Sequence, residues 1–186
     1  MLSMSIRCKN DTLIVPIVAF DTEIRGFVTN NRIEGNRVSL SDERYRGKVV
    51  IVSILGSWCP SHDEMAFLAP WYDANKNRGV EIIGIAFEQK DDEAYAKKTI
   101  SRLKERHNIK YPILFGGAVG KENVAAILPE LDNFLGYPTT IFIDKQGKVH
   151  RIHTGFTGPA TGLFYEDFIE EFNALIDTLL AEQPLR

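Results

Sequence analysis

Cys59 and His62 are the residues whose chemistry and spacing are most informative. They lie in "VVIVSILGSWCPSHDEMAFLAPWY", residues 49–72. An apolar run stops at Gly-Ser-Trp-Cys-Pro and a helical pattern begins at once. Unpaired N–H groups and the positive end of a helix dipole favour an anion at such a junction. A thiol there loses its proton more readily, and the thiolate is the nucleophile. Pro60 suits the first helical position because it has no N–H to leave unsatisfied. By itself Cys59 reads first as a small apolar residue at a tight turn. The strand–Trp–Cys–Pro–helix order favours a redox site. His62 has two readings: an imidazole that favours the thiolate or relays its proton, or a first-turn residue that never meets the sulfur. Asp63 and Glu64 oppose a nearby thiolate, and are read as helix-capping acids.

The elements that must position this turn follow from periodicity and turn residues. Strands are expected over Leu13–Phe20, Glu23–Thr29 and Arg32–Leu40, with Ser41 capping a short helical turn that ends at Gly47. Val49–Leu55 and Val80–Phe87 are continuously apolar, as strands covered on both faces should be. A helix from Pro60 to about Asn77, closed by Gly79, connects them. A charged amphipathic helix follows over Asp91–His107, then a short strand in "YPILF" and a helix over Lys121–Leu128 that Pro129 ends. Thr139–Asp144 and Lys148–His153 form a hairpin around Gln146-Gly147. The last helix runs from about Leu163 to Ala181, with Phe164, Phe168, Phe172, Leu175 and Leu179 as its apolar stripe. Phe67, Trp71 and Tyr72 belong to the core. Alternating strands and helices, then a hairpin and a helix, define an α/β domain whose mixed sheet is covered on both faces.

Composition narrows the partners. The 186 residues carry a net charge of −3, with no basic cluster interleaved with aromatics, so nucleic acid is not expected. The apolar runs are too short to span a bilayer. "MLSMSIRCKNDT" has neither the basic start nor the long apolar stretch of a signal peptide, which leaves a cytoplasmic protein or a processed chain. Cys8 and Cys59 are the only cysteines, too few to suggest a disulfide framework. Cys59-x-x-His62 is at most half of a metal site, and His107, His150 and His153 are scattered, so neither metal nor cofactor is expected. Gln89 reads as a solvated loop residue. A Pro-x-x-x-Thr-x-x-Cys peroxidase pattern is missing, since Val52 and Gly56 occupy its first two places. The Gly/Thr-rich stretch His153–Gly162 either borders a substrate groove or simply connects two elements.

"GNRVSLSDERYRGK", "GKVVIVSILGSWCP" and "GYPTTIFIDKQGKV" together resemble the thioredoxin-like thiol–disulfide oxidoreductases of the TlpA/ResA type, over roughly residues 35–180. The resemblance implies a thioredoxin fold, a Trp58-Cys59 redox signature and a cis-proline turn at Tyr137-Pro138-Thr139 facing it. It makes Cys59 the catalytic candidate, with His62 joining it only on the imidazole chemistry above, and Trp58, Pro60, Tyr137, Pro138 and Thr139 the substrate-binding ones. It also implies a periplasmic or cell-envelope location and a thiol or disulfide, protein or small molecule, as partner. The chain departs from the family at one decisive point. Where members carry a second, resolving cysteine, His62 stands here. Members also tend to have Glu six residues after the first cysteine, a place taken by Met65 with Glu64 just before it. If Glu64 is the true equivalent, the helix start is one residue shorter and the resolving position is Ser61. Neither register supplies a sulfur. The expected function is a monothiol oxidoreductase whose mixed disulfide an external thiol resolves. The alternatives are a redox-silent thioredoxin-like binding module and, third, a thiol peroxidase. The expected organisation is a β-hairpin extension over 1–37, a thioredoxin-like domain over 38–183 and a tail at 184–186.

Overall fold

A computed structural model describes residues 28–30, 37–58, 62–129, 131 and 133–183. β1 (Val28–Asn30) pairs antiparallel with β2 (Arg37–Ser39). β3 (Val49–Leu55) leads through the Cys59 region to α1 (His62–Asn75) and a 3-10 turn over Lys76–Arg78. Gly79 ends that run at φ 91°, left-handed backbone that glycine adopts without strain. β4 (Val80–Glu88), α2 (Glu93–His107), β5 (Ile113–Ala118) and α3 (Lys121–Ile127) follow. β6 (Thr139–Ile143), β7 (Val149–Thr154) and α4 (Leu163–Ala181) complete the chain.

The five-stranded sheet has the order β5-β4-β3-β6-β7, with β3, β4 and β5 parallel and β6 and β7 antiparallel. Side chains alternate across β3. Val49, Ile51 and Leu55 join α1, α2 and α4 on one face; Val50, Val52 and Ile54 join α3, Val38 and Tyr45 on the other. The parallel crossovers through α1 and α2 put both helices on one face, as right-handed connections must. This is the mixed, doubly covered sheet of a thioredoxin fold. The segment between β2 and β3 is tied down by Glu81, which accepts hydrogen bonds from Lys48 (2.8 Å), Arg44 (3.0 Å) and Tyr72 (2.9 Å).

Several expectations need correction. The segment before β3 is a run of turns to which Ser39 and Asp42 contribute side-chain bonds. Asp42 accepts from the Ser39 N–H, and the Ser39 hydroxyl accepts from the Ser41 N–H. α2 begins at Glu93 rather than Asp91, capped by Asp92, which accepts from the Tyr95 N–H at 2.6 Å. Phe164 does not belong to the core: it is 55% exposed, whereas Phe172, Ile176 and Leu179 are buried. The expected strand Leu13–Phe20 lies outside the described residues, as does most of Glu23–Thr29. α1 runs through Pro70, a residue that normally disrupts a helix interior.

Candidate active site

The site is built where β3 and β4 end and β6 begins, on the three central strands of the sheet. Gly56 follows β3, and a Cβ there would fall against the Trp58 indole, so only glycine lets that ring fold back over the chain. The indole N–H donates to the Phe87 carbonyl at 2.9 Å. Ser57 is held by Glu88, the last residue of β4: its N–H donates to one carboxylate oxygen at 3.1 Å and its hydroxyl to the other at 2.6 Å. Glu88 is 0% exposed, a burial that a carboxyl group tolerates only with its oxygens engaged. Gly116 is the extra residue where the β4–β5 register slips, and the Phe87 ring occupies the space beside it that a side chain would need.

Cys59 and Pro60 lie outside the described residues, as does Ser61. His62 is the first residue of α1, and its side chain is likewise outside them. The other expected site residues stand together. The Tyr137–Pro138 peptide bond is cis. The Tyr137 ring meets Trp58 edge-on, with centroids 5.5 Å apart, and packs on Phe134 at 4.7 Å and Phe87 at 6.1 Å. Trp58 remains 38% exposed beside it. Thr139 is buried, and its hydroxyl serves the fold: it donates to the Gly136 carbonyl at 2.7 Å and meets the Thr154 hydroxyl at 3.1 Å.

Glu64 overturns its expected role as a capping acid. It is 2% exposed, held between β3 and β6 by the Ser53 hydroxyl (3.0 Å) and the Thr140 hydroxyl (2.5 Å). Burial pushes its carboxyl up to about 7, and the two hydroxyl bonds pull only weakly the other way. Asp63, next to it, is exposed, as a helix-terminal acid should be. Met65 is buried in the core, where the Tyr111 hydroxyl donates to its sulfur at 3.2 Å. Of the two acids in the first turn of α1, Glu64 is the buried one.

The loop 153–162 is no loose connector. The Gly155 N–H donates to the Pro138 carbonyl at 2.8 Å, and Phe156 packs on Phe67, Tyr165 and Phe168. Gly158 lies close against Asp63 of α1. His150 is exposed, and His153 is half-buried beside Phe168, where burial and Arg151 lower its pKa. Gln89 is exposed.

Sequence reasoning missed Ser53, Thr140, Gly56, Ser57 and Glu88. Only Ser53 left a trace, as a hydroxyl residue inside an otherwise apolar strand.

This fold, with Trp58 packed against a cis-proline turn, defines the thioredoxin-like class. The chain belongs to the AhpC/TSA family, whose model matches residues 21–152. Among its relatives is the thiol-disulfide oxidoreductase ResA of Geobacillus thermodenitrificans, 31% identical over 139 residues, 74% of this chain and 71% of that one. ResA of Halalkalibacterium halodurans is 28% identical over 145 residues, 77% of this chain and 70% of that one. The solved thiol:disulfide interchange protein of the thioredoxin family from Chlorobium tepidum TLS superposes with a TM-score of 0.63 at 21% identity, covering 88% of this chain and 99% of that one. That likeness is one of fold.

Proposed function

We propose that the chain is a thiol–disulfide oxidoreductase in which Cys59 acts as a single nucleophile and an external thiol resolves the mixed disulfide. The observation that carries this reading is the contact between Trp58, which immediately precedes Cys59, and Tyr137 of the cis-proline turn. Relatives named ResA support the class of reaction. First, the Cys59 thiolate attacks one sulfur of a substrate disulfide, forming a Cys59–substrate disulfide and releasing the other sulfur as a thiolate. Next, an external thiolate attacks the substrate sulfur of that bond and returns Cys59 as the leaving thiolate. Both steps are exchanges, and no electrons enter or leave. Without a resolving cysteine the first product persists until that external thiol arrives.

The start of α1 favours the thiolate through its dipole and unpaired N–H groups. His62 is the second catalytic candidate, as a proton relay. Glu64, whose carboxyl burial pushes up to about 7, is the group in the first turn of α1 that can hold a proton for the exchange. Trp58, Pro60, Tyr137, Pro138 and Thr139 form the surface for an extended substrate segment, with Thr139 acting through its grip on the turn. A thiol or disulfide partner, an envelope or periplasmic location and the division at residue 38 with a tail from 184 belong to the same reading.

The test is intact mass after exposure of the Cys8→Ser protein to glutathione disulfide. The expected result is a single glutathione adduct on Cys59, removed by added thiol. No adduct, under conditions that modify a free peptide thiol, would leave a redox-silent binding module. Rapid sulfenic acid formation with peroxide but no disulfide exchange would indicate a thiol peroxidase.

A further inference from the structure

Glu88 has no part in the exchange steps above, yet it is a fully buried carboxylate with both oxygens committed to one residue of the redox turn. A carboxyl group at a strand end ordinarily faces water, and burying one is costly unless its oxygens are bonded. This one reaches back across the sheet end to Ser57, two residues before Cys59, and takes both its N–H and its hydroxyl. A two-point grip fixes orientation as well as distance, which a single hydrogen bond does not. The residue before Glu88 completes the grip. The Phe87 carbonyl holds the Trp58 indole, and the Phe87 ring backs Tyr137. Glu88 is itself anchored, since its carbonyl accepts from the Val119 N–H at 2.7 Å just past β5. The end of β4 thus holds the two residues that enter the redox turn and supports the cis-proline turn opposite.

We infer that Glu88 is a positioning residue for Cys59: its grip on Ser57 sets the path by which the chain leaves β3 and the orientation of Trp58, the residue before Cys59. The inference rests on the monothiol reading for its consequence and on the hydrogen bonds for its mechanism. The hydrogen bonds matter and the charge does not. In Glu88→Gln the amide oxygen accepts from the Ser57 N–H while the amide N–H₂ donates to the Ser57 hydroxyl oxygen, so both contacts survive without the charge. Glu88→Ala loses both, and Ser57→Ala loses the hydroxyl bond alone.

The test compares these three variants in a Cys8→Ser, Trp71→Phe background, where Cys59 is the only thiol and Trp58 the only indole. The readouts are the alkylation rate of Cys59, its rate of reaction with glutathione disulfide and Trp58 emission. The urea midpoint shows which variants are folded. Losing a bond worth about 1 kcal/mol, if expressed at the sulfur, corresponds to roughly fivefold in rate. Glu88→Ala should change both rates by at least that factor and shift Trp58 emission towards that of an exposed indole. Ser57→Ala should do so by less, and Glu88→Gln should stay within about twofold of the parent. Unchanged rates and emission in folded Ser57→Ala and Glu88→Ala overturn the inference. So does a Glu88→Gln that behaves like Glu88→Ala, because charge would then be the agent. A parent protein inert to disulfide but alkylated normally overturns the monothiol reading, while the alkylation rate and emission still decide on Glu88.

Discussion

Glu64 shows how one residue's environment replaces its expected chemistry. A Glu in the first turn of a helix stabilises the dipole when it faces water. Here it faces inward between Ser53 and Thr140, and desolvation holds its proton to about pH 7. The unfolded carboxyl releases its proton near 4.5, so between these values the folded state binds the more protons. Stability from this group is therefore greatest below about pH 4.5 and falls as pH rises to about 7, by up to about 3 kcal/mol. Urea unfolding at steps between pH 4.5 and 8 should show that decline, and Glu64→Gln should remove it. A parent and variant with parallel profiles would mean that Glu64 is ionised throughout.

At the scale of elements, α4 separates residues that share a periodicity but not a burden. Phe164, Phe168 and Phe172 recur every four residues. Only Phe172 is fully inside, ringed by Phe67, Trp71, Phe142 and Phe168 at centroid distances of 5.0–6.0 Å. It joins α4 both to α1, which follows the redox turn, and to β6, which follows the cis-proline turn. Phe172→Ala should cost about 3–5 kcal/mol in urea unfolding, and Phe164→Ala no more than about 0.5 kcal/mol. Equal costs would mean that the first turn of α4 packs as the sequence pattern suggests.

For the whole molecule, one sheet supports two cores. β3 gives Ile51 to the face covered by α1, α2 and α4, and Ile54 to the face covered by α3. Neither core can be lost while the strand remains in place, so unfolding should be a single transition. Ile51→Ala and Ile54→Ala, on opposite faces, should each lower the free energy of the same transition by about 2–5 kcal/mol, with circular dichroism and fluorescence coincident. Separate transitions for the two probes would show that the faces unfold independently. Among the described residues no helix is long and apolar enough to cross a membrane.

The architecture was legible because it depends on local patterning. Continuous apolar runs mark β3 and β4, a helical stripe marks α4, and Gly79 marks the end of the helical run after β3. The turns at Trp58 and Tyr137 were legible as a family likeness, in residues far apart in the chain. That likeness also implied that the two turns face each other, but the roles of Glu64, Glu88 and Phe164 were not legible. A carboxylate reads as solvated and a phenylalanine as core when judged by type. Whether each is buried depends on which strands and helices meet around it. Ser53 and Thr140 reach Glu64, and Ser57 reaches Glu88, only after the sheet has formed, across 11, 76 and 31 residues of chain. Hydrogen bonds at such separations leave no period in the sequence, so the folded sheet alone assigns these acids their places.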